Sequence, residues 1–450
     1  MGRLRGTHLT AARRISSGPA LNASGELVSS REDPRRSGLN IAFVNNQYQL
    51  GGAETVVHQL RAGLAQAGHV SHLHVAQGKT YPVNDGVVPL YPRWLSRLSH
   101  SRAHPLVERL FPRGPWTDRA FRQLANDSAD LIHVHNFHGD YARVPSLAGL
   151  ARAKPLVWTF HAFWGITGGC DHPKSCERYQ GACGQCPQLG KWPLGRVDRT
   201  ADQLQQKLRW WAGLPLHVVA PSRHLAARVR ASQVGRGWHV HHIPNGVDPA
   251  RFSFARKRDP QFRASLGLRP ASTVILVANR NFRDAEKGFP MARQALEMMP
   301  SGPVQVVLAG LESDWAAAQL SPQAECLSLG YVASRQKMAE LYEAADIFLF
   351  ASQAENFPCV ILEAMSAKCC VVATPTGGVV EQIEPGRTGL LAGHISGKSL
   401  GLSLREALAA PEQCRIYGEQ ARREVEAHFS EERMVQRHLD LYARMISTSE

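Results

Sequence analysis

The chain has 450 residues, 44% of them hydrophobic and 20% charged, which is ordinary for a soluble globular protein and leaves room for two α/β cores. No apolar stretch approaches the length needed to span a bilayer, so an integral membrane protein is not expected. Lys plus Arg number 52 against 38 Asp plus Glu, and this +14 balance suits nucleic acid, an anionic membrane face or phosphate-bearing small molecules without choosing among them.

Residues 1–38 read as a separate basic, disordered tail. They hold Arg3, Arg5, Arg13, Arg14, Arg31, Arg35 and Arg36 with several Ser and Gly, no sustained apolar period and no apolar core of a secretory signal. The first strand falls at 39–44, where a near-continuous apolar run suits a strand buried on both faces of a parallel sheet. The Gly51-Gly52 turn follows. Val57, Leu60, Leu64 and Ala67 then recur at helical spacing up to Gly68. Residues 81–116, rich in Pro and Arg, read as an exposed excursion. Further strands are expected at 131–135, 155–161 and 217–220, with a helix at 201–211.

Ile243-Pro244-Asn245-Gly246-Val247-Asp248 carries a strong breaker and marks a boundary. The rhythm then restarts, with strands at 274–278, 304–309, 326–329, 347–350 and 370–373, and a helix at 334–345. Two successive β/α series joined by a linker predict two doubly wound, Rossmann-like α/β domains facing a cleft. They are expected at 39–243 and 244–425, with 426–450 as a C-terminal helix returning to the N-terminal domain. In such sheets ligands sit beyond the carboxyl ends of the strands, so the loops that follow strands carry the chemistry.

The most informative such loop follows 347–350. Pro358 is placed to open a helix, Glu355 lies in the loop before it, and Glu363 lies eight residues on. A helix N-terminus facing a cleft favours phosphate, and a carboxylate beside it can accept hydrogen bonds from sugar hydroxyls. For a lone Glu pair, ordinary surface charge would be the better reading.

The surrounding motifs change that. This segment resembles the Glu-x7-Glu motif of glycosyltransferase family 4, the retaining GT-B enzymes. The resemblance runs along most of 39–445. Gly51-Gly52-Ala53-Glu54 matches that family's Gly-rich turn. Residues 243–248 match its linker. Thr376-Gly377-Gly378, with Glu381, Ile383 and Gly386 to Leu391, matches its next loop. The resemblance implies that Glu355 binds the donor sugar, that Glu363 holds the ribose, and that backbone N–H groups around Asn356 and Phe357 contact the donor. It also implies a basic pair on the diphosphate. Arg280 and Lys287 match that pair, with Arg283 a rival to Arg280, and Tyr331 falls where the family packs its nucleobase.

His161 ends a strand and resembles the family's N-domain His, which lies near the donor sugar. The pattern His-x-x-Trp-x-x-Thr-Gly-Gly-Cys resembles a subgroup of colanic acid, capsule and exopolysaccharide biosynthesis. Ala162 stands where many members have Asp, so any role of that Asp is lost here.

Cys170, Cys176, Cys183 and Cys186 follow, spaced C-x5-C-x6-C-x2-C with His172 nearby. Four thiolates suit a structural zinc ion, and simple reduced loop thiols are the equal alternative. No Asp-x-Asp occurs. The basic pair and the helix N-terminus are therefore expected to take the place of a divalent cation at the diphosphate, with no catalytic cofactor.

The expected function is retaining transfer of a sugar from a UDP- or GDP-sugar to a carbohydrate acceptor, which the subgroup resemblance suggests is a lipid-linked oligosaccharide. A cytoplasmic location is expected. Arg93, Arg97, Arg102, Arg109, Arg113, Arg119 and Arg122 would touch the inner leaflet, or form a solvated face. The alternatives are a nucleotide-sugar epimerase, a phosphorylase on the same plan, a degenerate sugar-binding protein, or a nucleic-acid-binding protein. No motif supports the last.

Overall fold

The computed structural model describes residues 38–48, 51–77, 86–92, 95, 113–138, 141–321 and 325–447. The tail at 1–37 and Arg93, Arg97, Arg102 and Arg109 lie outside the described residues.

The first parallel sheet is built from β1 (Asn40–Gln47), β2 (Val70–Gln77), β3 (Val87–Pro89), β4 (Leu131–His135), β5 (Leu156–Thr159), β6 (His217–Ala220) and β7 (His239–His242), in the order β3-β2-β1-β4-β5-β6-β7. The second contains β8 (Thr273–Asn281), β9 (Val304–Leu311), β10 (Glu325–Ser328), β11 (Ile347–Phe350), β12 (Cys370–Ala373) and β13 (Gly389–Leu391), ordered β10-β9-β8-β11-β12-β13. This is the expected pair of doubly wound sheets. Each has one topological switch point, between β1 and β4 in the first and between β8 and β11 in the second. A crevice for ligands opens there, because the flanking connections leave to opposite faces.

Each sheet is buried on both faces by apolar clusters. One N-terminal cluster packs Val134, Phe137, Trp158 and Trp211 on one face, and the other packs Phe43, Val57 and Leu60 on the opposite face. The second cluster is completed from the far end of the chain. In the helix Glu431–Ser447, Met434, Val435, His438, Leu441, Tyr442 and Met445 form one buried stripe at helical spacing, and that stripe lies on the N-terminal sheet.

The chain therefore crosses between the domains twice, and the crossings are bonded to each other. Val247 N–H donates to Phe429 O at 3.0 Å, and Glu431 N–H donates to Val247 O at 2.8 Å.

Three local expectations are corrected. Residues 81–116 are not simply an excursion: 87–89 form edge strand β3, and a helix begins at Arg113, because Leu90, Tyr91 and Leu95 supply buried apolar side chains between them. Strands β2 and β7 were not anticipated. His72, His74, His239, His241 and His242 break the apolar signal in them, yet main-chain pairing to an existing strand suffices. Pro358 caps its helix from one residue outside, the helix running Cys359–Ser366.

Candidate active site

The switch point of the C-terminal sheet sets two loops side by side. After β8 comes the turn Ala285–Lys287, ended by Gly288 at φ +72°. A Cβ there would lie 1.8 Å from Ala351 O, so only glycine lets the turn close on the loop after β11. Gln353 N–H donates to Glu286 O at 2.8 Å, and Ser352 Oγ to the same oxygen at 3.1 Å. The result is an ion pair in which Lys287 Nζ donates to Glu355 Oε1 at 2.8 Å. Ser352 Oγ lies 2.9 Å from the same carboxylate oxygen. Glu355 is 13% exposed and Lys287 32%. The Glu355 charge holds the Lys287 ammonium above its ordinary range, against the pull of burial.

The loop after β12 packs on this one. Gly377, at φ +52°, has room for no Cβ, since that atom would sit 1.8 Å from Glu355 O. Gly378 N–H donates to Asn356 O at 2.7 Å. The backbone N–H groups of Glu355, Asn356 and Phe357 donate to no protein group among the described residues. They belong to the loop that leads into the helix Cys359–Ser366, whose N-terminus itself favours an anion.

Asn356 ties this loop to the N-terminal domain. Its Nδ2 donates to Phe160 O at 3.1 Å and His161 O at 3.4 Å, and its Oδ1 accepts from Ser222 Oγ at 2.7 Å. Asn245 Nδ2 donates to Phe357 O at 3.0 Å. Glu381 reaches across as well, accepting from Arg223 N–H at 2.7 Å and His224 N–H at 2.8 Å, and so caps the N-terminus of the helix Arg223–Ala231. Lys174 pairs with Glu286 at 3.1 Å, and Arg335 donates to Thr55 Oγ1 at 3.2 Å. Asn356 thus joins the main chain at 160–161 to the loop that carries Glu355 and, through it, Lys287.

His161 is half-buried, and burial pulls its imidazole down to about 3, so it is neutral at working pH. The loop after it is bolted from beneath. Lys207, 1% exposed, donates through Nζ to Trp164 O and, at 2.8 Å, to Thr167 O, and lies 3.6 Å from the centre of a Trp164 ring. Burial drops this lysine to about 7.

The remaining expected residues occupy distinct positions. Gly51 is the extended N-cap of the helix Gly52–Gln66, at the switch point of the first sheet. Behind it, buried Glu54 accepts from Asn136 Nδ2 at 3.0 Å and joins the loops after β1 and β4. Arg280 is exposed at the end of β8 and pairs with no carboxylate among the described residues. Arg283, by contrast, is 2.9 Å from Glu312 and lies over the Trp315 ring. Tyr331 is exposed. Phe357 is buried in the core, and only its main chain faces the loop. Burial raises the Glu363 carboxyl, while Tyr342 and Arg335 pull it back.

The four loop cysteines line one cavity of about 20 Å³ with Tyr179 and Arg178. All four thiols are free. They surround the cavity without forming a ligand set: among the described residues no three His, Cys, Asp or Glu side chains are grouped to hold a metal ion. A cavity of about 550 Å³, lined by His74, Leu124 and Asp127, contains none of the site residues.

Several residues of the cleft carried no sequence signal. Ser222 is an ordinary cap residue, and His135, Lys174 and Lys207 become informative only through partners distant in sequence, whereas Asn245 lay in the recognised linker without an expected partner. Glu381 lay within a recognised motif but had no expected partner.

Two family models match the chain: Glycosyltransferase Family 4 over residues 50–251 and Glycosyl transferases group 1 over 259–424. The chain is 26% identical, over 77% of its own length and 85% of the relative's, to WcaC of Escherichia coli (strain K12), a glycosyl transferase assigned to colanic acid biosynthesis. It is 30% identical to the alpha-maltose-1-phosphate synthase of Mycolicibacterium smegmatis, over 71% of this chain and 80% of that one. In fold it is similar to Anabaena HepE, solved with UDP and glucose, with a TM-score of 0.65 at 19% identity over 90% of this chain and all of that one.

Proposed function

This chain belongs to glycosyltransferase family 4, and on that premise we propose that it moves a sugar from a UDP- or GDP-sugar to a carbohydrate acceptor, with retention at the anomeric carbon. The observation that carries this reading is the cluster at the C-terminal switch point. Lys287 and Glu355 are paired there, in a loop whose backbone N–H groups at 355–357 find no acceptor among the described residues, and Arg280, at the end of β8 of the same sheet, pairs with no carboxylate among them. HepE, of the same fold, was solved with UDP and glucose.

The bond from the anomeric carbon to the diphosphate breaks, and negative charge grows on the leaving phosphate. Lys287, Arg280 and the free N–H groups would stabilise it without a metal ion. Glu355 and His161 would position the oxocarbenium-like sugar by its hydroxyls. The acceptor oxygen attacks from the face that the diphosphate leaves, and its proton passes to a leaving phosphate oxygen. Glu363 would hold the ribose and Tyr331 the base. The domain-crossing bonds of Asn356 and Glu381 close the cleft and exclude water.

A lipid-linked oligosaccharide acceptor at the inner membrane face is the reading that the WcaC likeness supports. Arg119 and Arg122 are exposed on the helix Arg113–Ala125, where they would meet anionic lipid. Among the described residues no helix is long and apolar enough to cross a membrane.

The test is thermal unfolding against UDP, GDP, ADP and CMP, with EDTA and magnesium arms, on wild type and Glu363→Ala. One nucleoside diphosphate raising the midpoint without magnesium, and less so in the variant, is the expected result. No response to any of them would sink the donor site. Donor turnover without acceptor would favour an epimerase.

A further inference from the structure

Strand β4 places His133 and His135 two residues apart, on one face of the sheet, and both are fully buried. Their surroundings differ in a way that matters chemically. Both nitrogens of His133 meet hydroxyls, Tyr442 at 2.6 Å and Thr159 at 2.7 Å. A hydroxyl can donate or accept, so these bonds leave the tautomer of His133 open.

His135 has no such freedom. Its Nδ1 lies 2.9 Å from His161 Nε2, and the rings meet edge to edge, near-coplanar, with centroids 5.2 Å apart and planes 25° apart. One of the two nitrogens must carry the proton between them. The other nitrogen of His135, Nε2, is buried and has no hydrogen-bond partner among the described residues. A proton placed there would strand an N–H in the core. The same proton on Nδ1 is used in the bond to His161. Buried N–H groups without acceptors are rarer than underused acceptors, because the stripped donor loses water and gains nothing. Burial keeps both rings neutral, lowering His135 well below its ordinary value and His161 to about 3.

We propose that His135 is a positioning residue that donates Nδ1–H to His161 Nε2. It thereby holds His161 as the tautomer protonated on Nδ1, the nitrogen not engaged by His135. His161 then presents an N–H donor to an oxygen of the donor sugar. The proposal rests on the reading of His161 as a donor-site residue. It adds the direction of that hydrogen bond and the residue that sets it.

The deciding experiment is long-range ¹⁵N–¹H correlation on full-length enzyme with ¹⁵N-labelled histidine rings, with His161 assigned by loss of its signals in His161→Gln. A protonated Nδ1 and a bare Nε2 on His161 are expected; a proton on Nε2 overturns the proposal whatever the activity. Kinetics supply the second arm. His135→Leu removes the donor and should lower kcat about tenfold, with a smaller change in donor KM. His135→Asn, whose amide nitrogen falls near the place of Nδ1, should restore most of that loss. Equal loss in both variants at equal melting temperature overturns the positioning role. If His161→Ala leaves turnover intact, the reading of His161 as a donor-site residue fails, and the proposal with it, even if the tautomer is as stated.

Discussion

Lys287 Nζ and Glu355 Oε1 stand 2.8 Å apart, joining the turn after β8 to the loop after β11 across the switch point of the C-terminal sheet. The pair is partly shielded, and its lysine is held charged chiefly by Glu355. Lys287→Ala should lower kcat about 10²–10³-fold by removing a preorganised cation from the leaving group. The ammonium is raised above its unfolded value, so its stabilising effect is complete below the ordinary lysine value and fades as pH climbs through the folded one. The variant should lose less stability than wild type in that alkaline window, which parallel melting curves would reveal.

Arg280 and Arg283 are three residues apart, and only Arg283 is already spent on Glu312 and Trp315. Arg280→Ala should therefore weaken nucleoside diphosphate binding about tenfold or more. Arg283→Ala should change affinity little and cost stability slightly. Calorimetric titration of both variants decides; the reverse ranking would reassign the diphosphate contact.

Glu363 pits stability against binding. Burial raises its carboxyl, so ionisation is disfavoured in the folded state. The penalty is absent below the unfolded carboxylate value, grows as pH rises from there and is complete above the folded value. Glu363→Gln should melt with wild type near pH 4 and above it at pH 8, while nucleotide affinity falls about tenfold. A variant less stable at pH 8 would contradict this.

Glu381 caps a helix of the opposite domain. Glu381→Ala should cost about 1 kcal/mol, typical of a lost cap, and let the domains separate further. Small-angle scattering should then show a larger radius of gyration without ligand, with the difference narrowing when nucleotide is added.

Lys207 is lowered to about 7 with no carboxylate as hydrogen-bond partner. Between that value and the ordinary lysine value the unfolded chain binds the extra proton, so this group makes stability rise with pH there. Lys207→Met should flatten the rise. At neutral pH it should also lower stability by about 1–3 kcal/mol, because the carbonyls of Trp164 and Thr167 lose their donor. Denaturant titration at pH 6, 7.5 and 9 measures both effects.

How much was legible in the chain follows from the range of each interaction. Strands β4, β6, β11 and β12 and the helices Thr200–Trp211 and Arg335–Ala344 announce themselves by apolar runs and helical spacing, which are local. Gly288 and Gly377 sit in turns recognisable as such. With the motif resemblance, Glu355, Lys287 and His161 could be named before any coordinate was known. Strands β2 and β7 could not, since their histidines hide the period, and main-chain pairing supplied what the side chains withheld. The cysteine spacing allows a structural zinc ion or simple reduced thiols equally, since spacing does not say where four thiols point, and in the fold they ring a small cavity.

The sequence by itself determined the plan of two doubly wound sheets, because apolar periodicity and glycine-dependent turns act between neighbours in the chain. Only the tertiary structure decided that Arg283 pairs with Glu312, that Glu381 caps a helix 158 residues away and that His135 stands behind His161. Those are contacts between segments distant in sequence, brought together by strand pairing within each sheet and by the meeting of the two domains, and no local pattern encodes them.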